Sequence, residues 1–143
     1  MPQFAADLPL SSLDGTNGFR IDGTSRGNWA GLTVSLGADI NGDGFADIIL
    51  TAPHVGLQSN GTGEIGSTYV IFGGAAPVAT PLELSSLNGS NGFRVDGVLE
   101  SGSVGATTVS AAGDVNGDGF DDFILGMEAF GEHIQPLMAC RKR

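Results

Sequence analysis

Basic residues, cysteines and long apolar runs are all scarce in this chain. Six Lys and Arg stand against sixteen Asp and Glu in 143 residues, for a net charge of −10. That balance lacks the basic footprint a nucleic-acid partner requires, and Arg141, Lys142 and Arg143 at the end of the chain read as a solvated tail. The single cysteine, Cys140, excludes an internal disulfide and a cysteine zinc site. It sits where a prenylation box would place it, but Arg141 and Lys142 occupy the positions that should be aliphatic, which rejects lipidation. No stretch reaches the roughly 18 apolar residues needed for a membrane span, and residues 1–10 carry neither the basic start nor the apolar run of a signal peptide. Membrane insertion is therefore not expected. His54 and His133 have no second His or Cys at metal-ligand spacing and read as solvent-exposed loop residues. There is no Gly-x-Ser-x-Gly elbow and no serine–lysine pair. The glycine-rich Asn60-Gly-Thr-Gly63 lacks the Lys-Ser/Thr of a phosphate loop and reads as a turn. With no catalytic constellation in these residues, the chain reads as not being an enzyme.

What is abundant is glycine, with 24 residues, and turn chemistry, against a 41% hydrophobic content that argues for a packed core rather than disorder. Length allows one domain with a sizeable core. The most informative segment is written twice: Asp39-Ile-Asn41-Gly-Asp43-Gly-Phe-Ala-Asp47 and Asp114-Val-Asn116-Gly-Asp118-Gly-Phe-Asp-Asp122. Oxygen-bearing side chains stand at loop positions 1, 3, 5 and 9, with glycines at 4 and 6, so a curled backbone aims alternate side chains at one point. Three converging aspartates repel by roughly 1–4 kcal/mol per pair at surface-like dielectrics, so a cation is expected. All-oxygen ligation on a flexible loop favours calcium over the stricter magnesium, and two Ca2+ sites are expected. Six of the sixteen acids are the aspartates at loop positions 1, 5 and 9, and two calcium ions would bring the net charge to about −6. An EF-hand is excluded: its loop closes with a Glu at position 12, where Leu50 and Leu125 stand here.

Thr33-Val-Ser-Leu36 and Thr108-Val-Ser-Ala111 run into the loops. Asp47-Ile-Ile-Leu-Thr51 and Asp122-Phe-Ile-Leu-Gly126 run out of them. All four read as strands, so each loop joins an antiparallel pair. A second repeated block, Leu10 to Gly23, returns as Leu84 to Gly97 with a shift of 74, whereas the acidic loops are shifted by 75; one residue is inserted between Gly105 and Val109. Ser67-Thr-Tyr-Val-Ile-Phe72 and the Gly-Phe-Arg-Val-Asp-Gly stretch around Phe93 supply two more strands per period. Ala75 to Pro81 forms a proline-punctuated crossing between them. Four short antiparallel strands per repeat fit a β-propeller blade.

The chain resembles the FG-GAP repeat proteins, the group that includes the N-terminal propeller of integrin α chains. Three features carry the likeness: the Asp-x-Asn-x-Asp-Gly-x-x-Asp loop between two strands, Phe72-Gly73 after the third strand, and Thr51-Ala-Pro53 in place of Gly-Ala-Pro. The resemblance covers roughly Leu10 to Gly126, and the doubled loop is its specific part. It implies that loop position 7, Phe45 and Phe120, gives a backbone carbonyl to calcium. It also implies an all-β, incomplete β-propeller of about one and three-quarter four-stranded blades with calcium-binding hairpin loops. The second copy departs from the pattern: Gly126-Met-Glu128 replaces Gly-Ala-Pro, and no Phe-Gly follows.

Chain organisation is read as a single propeller fragment over 1–143, with repeat 1 at about 10–83, a truncated repeat 2 at about 84–130, and an unrelated, foreign or frame-shifted tail over 131–143. Trp29 is expected to pack at the blade rim, although exposed it would serve a ligand surface. The expected function is a calcium-binding repeat module of an extracellular or cell-surface adhesion protein, with the calcium structural and each loop an independent site. The expected partners are a protein or glycan ligand on a propeller face, and either further repeats of a parent chain or self-association. An accessory propeller of a secreted hydrolase and a truncated, non-functional fragment are the alternatives.

Overall fold

The structure is a computed structural model that describes residues 6–56, 66–97 and 103–129. Among these residues there is no α-helix. Eight strands occur: β1 (Ile21–Asp22), β2 (Val34–Ala38), β3 (Asp47–Ala52), β4 (Ser67–Ile71), β5 (Leu82–Glu83), β6 (Gly92–Asp96), β7 (Ser103–Gly113) and β8 (Asp122–Ala129). Single 3-10 turns at Leu10–Ser12 and Leu84–Ser86 stand 74 positions apart, as the repeat requires.

The expected four-stranded unit is present. β2, β3, β4 and β6 lie side by side in that order, every neighbouring pair antiparallel. β2 begins one residue later than the pattern suggests, because the Thr33 N–H is taken by the Thr51 hydroxyl at 3.2 Å. β7 and β8 form an antiparallel pair of their own, and β1 pairs in parallel with β5. β1 repeats the end of β6: Arg20–Asp22 and Arg94–Asp96 make the same exposed ion pair, at 2.6 and 2.8 Å.

Side chains alternate across the sheet, and both faces are used. Ile49 and Val70 point one way, into a core completed by Ala38 and Ile40 from their own repeat and by Ala106, Val109, Phe123 and Leu125 from the second. Leu50, Tyr69 and Ile71 point the other way, against Leu82 and Leu84. Phe93 bridges the repeats, lying 5.9 Å from Phe72 and 6.5 Å from Phe123 between ring centroids. Apolar burial stabilises by about 25 cal/mol per Å², and the first of these two clusters is the one that joins the repeats.

The extra residue of the second repeat has a visible place. Both hairpins carry a ladder irregularity just before the acidic loop, at Leu36/Ala38 and at Ala111/Gly113. β7 has two more, at Ser103/Ala106 and at Ala106/Thr108, the second lying where the repeat shift changes from 74 to 75. A bulge absorbs one residue and leaves the rest of the register intact. Trp29 departs from expectation: it is 60% exposed, at a φ of 56°, with its ring centroid 4.2 Å from that of His54 in an edge-on arrangement. His54 in turn is half-buried rather than a free loop residue. The expected tail over 131–143, and most of the glycine-rich loop after Gly56, lie outside the described residues.

Candidate metal centre: two acidic loops

Each acidic loop closes the end of a hairpin, the first between β2 and β3 and the second between β7 and β8. The position-1 carboxylate sits inside the curl. Asp39 Oδ1 accepts the N–H groups of Gly42 and Asp43 at 2.8 and 3.0 Å, and its Oδ2 accepts that of Gly44 at 2.9 Å. Asn41 Oδ1 takes the Asp43 N–H at 3.0 Å and Asp43 Oδ1 takes the Phe45 N–H at 2.9 Å. Both glycines hold φ near the left-handed region, 79° at Gly42 and 85° at Gly44, which lets successive N–H groups turn inward.

The second loop repeats the arrangement. Asp114 accepts from Gly117, Asp118 and Gly119 at 2.7, 3.0 and 2.9 Å, and Asp118 accepts from Phe120 at 3.1 Å. The Gly119 N–H, first among several such bonds, holds the Asp114 carboxyl below its ordinary pKa. All eight side chains expected as ligands therefore lie on two loops of one shape.

Position 9 is buried in both copies, but its partners differ. Asp47 is fully buried, with Oδ2 accepting the Ile40 N–H and Oδ1 the Gly73 N–H, both at 2.8 Å. Burial pushes its pKa above the ordinary carboxylate value, while those two N–H groups pull the other way. The Phe-Gly that ends the third strand thus acts through Gly73, whose N–H donates to the aspartate that closes the loop. At Asp122, Oδ2 takes the Val115 N–H at 3.0 Å, and the Asn116 amide lies 3.1 Å from both carboxylate oxygens.

The donor set suits a hard divalent cation in chemistry: carboxylate and amide oxygens only, on a loop able to adjust. Each carboxylate oxygen has two acceptor positions, so the backbone N–H bonds leave capacity at Asp39, Asp43, Asp47, Asp114, Asp118 and Asp122. In the present arrangement those oxygens face backbone amides, and among the described residues no three His, Cys, Asp or Glu converge as a cage. Phe45 and Phe120 occupy position 7 of their loops, with Phe45 exposed and Phe120 half-buried.

One residue escapes the ligand pattern. Asp121, at position 8 where the first copy has Ala46, reaches back to the first loop and accepts the Asp39 N–H through Oδ2 at 2.9 Å. Its own N–H donates to the Asp39 carbonyl at 3.1 Å. The one signal for it in sequence is that departure between otherwise matching copies.

Comparison with known proteins agrees with the geometry. A family model described as FG-GAP repeat matches residues 30–71 and 106–128, which bracket the two loops. Integrin alpha-PS2 of Drosophila melanogaster is 29% identical over 112 residues, 77% of this chain and 7% of that protein. Integrin alpha-3 of Cricetulus griseus is 29% identical over 106 residues, 74% of this chain and 9% of that protein. Pyrimidine monooxygenase RutA of Cronobacter sakazakii is 77% identical over 22 residues, 15% of this chain and 6% of that protein, a match too short to argue an activity from. The chain spans less than a tenth of the length of each of these relatives.

Proposed function

This chain is a member of the FG-GAP repeat family, and from that premise we propose that it is a calcium-stabilised propeller module of an extracellular adhesion or recognition protein, without catalytic chemistry of its own. The observation that carries this reading is the recurrence of one acidic loop, with one hydrogen-bond pattern, at the ends of two stacked hairpins. Asp39, Asn41, Asp43 and Asp47 would hold the first ion with the Phe45 carbonyl. Asp114, Asn116, Asp118 and Asp122 would hold the second with that of Phe120. The bound ion supplies positive charge that lets the loop carboxylates stay ionised side by side. Its role is structural: each loop closes the end of a hairpin, and an ion there fastens the two strands that the loop joins.

Neither loop carries the bidentate Glu of a tight site, so affinities of about 10⁻⁴–10⁻³ M are expected, which only an extracellular calcium level would satisfy. Filling a site at tenfold excess adds about 1.4 kcal/mol of stability, a sizeable share of a marginal domain. Two open faces support further repeats, of a parent chain or a second copy, as partners. One runs along Leu32, Val34 and Leu36, and the other beside Val115. A protein or glycan ligand would meet the opposite end of the β2–β3 hairpin, where Trp29 is presented beside His54. Calorimetric titration of the folded chain is expected to show about two calcium ions, and EGTA to lower its melting temperature by about 5 °C. Absence of calcium heat, with identical melting in calcium and EGTA, would overturn the proposal.

A further inference from the structure

The two acidic loops touch, and they touch through backbone that each needs for its own shape. Asp39 opens the first loop, and its carboxylate gathers the N–H groups of Gly42, Asp43 and Gly44. The backbone of that same residue is held from the second repeat, its N–H by Asp121 Oδ2 at 2.9 Å and its carbonyl by the Asp121 N–H at 3.1 Å. The Phe120 ring lies over Gly42 so closely that a Cβ there would meet ring carbons at 2.5 and 2.8 Å. Phe120 and Asp121 stand between Asp118 and Asp122, the position-5 and position-9 residues of the second loop. Ordering that segment at the second loop therefore orders the start of the first.

We propose that Asp121 is a positioning residue for the first loop, and that through it the two loops are coupled, so that filling either one raises the affinity of the other. The inference rests on the calcium reading above and replaces the expectation of independent loops. Its physical basis is shared ordering: once one loop is fixed, the segment the other must order is already partly held. Coupling of this kind is reciprocal, so either loop feels the other by the same factor. Repulsion between two divalent charges opposes it, but both loops lie at the surface, where salt screens them. The Asp121 carboxylate between them offsets it further. The device is directional in sequence, since Ala46 at the matching place in the first copy has no carboxylate to offer a neighbour.

Calcium titration of the full chain tests this, with Asp118→Ala silencing the second loop and Asp43→Ala the first. The remaining loop in each single variant is expected to bind about fivefold more weakly than in the intact chain, the low end of ordinary couplings. In an Asp121→Ala background that penalty should vanish. Asp121→Asn, which keeps an oxygen for the Asp39 N–H, should retain most of it. Amide exchange gives a second readout: in Asp43→Ala protein, calcium can enter only the second loop, yet it should slow exchange at Asp39. Adding Asp121→Ala should abolish that slowing. Two loops that bind calcium with no mutual effect, or a coupling that survives Asp121→Ala, overturn the proposal while the calcium reading stands. A chain that takes up no calcium at either loop overturns both.

Discussion

Ile40 and Val115 hold the same place in two copies of one loop, and their surroundings differ completely: Ile40 is 0% exposed and Val115 62%. On the other face the order reverses, with Val34 58% exposed and its counterpart Val109 buried. Each repeat therefore has two apolar faces, and the chain mates one face of the first with the opposite face of the second. The first repeat covers its loop by borrowing Phe120 and Asp121, and the second offers the same kind of surface with nothing of the described residues upon it. Burial here belongs to neighbouring repeats, not to the repeat sequence alone. Equal substitutions in the two copies should then have unequal effects.

The largest inequality is expected at position 9. Asp47→Ala strands the buried N–H of Ile40 and the half-buried one of Gly73, each at a penalty of about 1–3 kcal/mol, partly offset because a desolvated carboxylate is removed with them. A net loss of about 3 kcal/mol is expected. Asp122→Ala frees the N–H of an exposed Val115 and an Asn116 amide that can turn to water, for about 1 kcal/mol. Urea unfolding of both variants in EGTA measures the difference without any contribution from calcium. Equal losses would break the asymmetry.

A smaller effect is expected at Gly73, where the third strand of the first repeat meets its loop. A Cβ at this position runs into the Ala46 carbonyl and sits 3.1 Å from the Phe45 Cβ, and backbone cannot easily give way. Gly73→Ala should lower stability by about 2 kcal/mol, in the range for overpacking. Because it also loosens the Gly73 N–H bond to Asp47, it should weaken calcium uptake at the first loop more than at the second. An unchanged melting temperature would show that the Phe-Gly contact is incidental.

Much of this is readable in the sequence, for physical reasons. β2, β3, β4 and β6 follow from short β-branched and apolar runs bounded by turn residues, because a run too short for a helix can bury itself only as a strand. The loops are readable because oxygen-bearing side chains recur at fixed spacing between paired glycines on a short curl. The bond from Gly73, the roof that Phe120 makes and the reach of Asp121 are not, since each depends on a partner distant in the chain. Asp39 and Asp121, for instance, are 82 positions apart. Trp29 runs against expectation because an aromatic residue carries no sign of which face its loop presents. A bulge at Ala106/Thr108 lies between: the one-residue slip in the repeat marks its place, but not its form.

The smallest inequality is the cleanest, because it compares one residue type at one repeat position. Ser35 lies on β2, and its Oγ accepts the Ala111 N–H at 2.9 Å in a half-buried setting. Ser110 is its counterpart on β7, and its hydroxyl is exposed, donating only to the carbonyl of its own neighbour Ala111 at 3.0 Å. Ser35→Ala deprives a half-buried N–H of its acceptor and should lower stability by about 1 kcal/mol. Ser110→Ala removes a bond that water replaces at once, and should fall within about 0.5 kcal/mol of no change. Thermal melts in matched buffer should separate the pair by about 4 °C. Both substitutions shorten a strand side chain by the same atom and alter β propensity equally, so propensity cancels in the difference. What remains is the contact across the repeats. If the two variants melt together, β2 does not hold the β7–β8 hairpin through Ser35, and the cohesion between repeats rests on the apolar face and the remaining cross-repeat bonds, those of Thr33 to the Thr107 carbonyl and of Asp39 with Asp121.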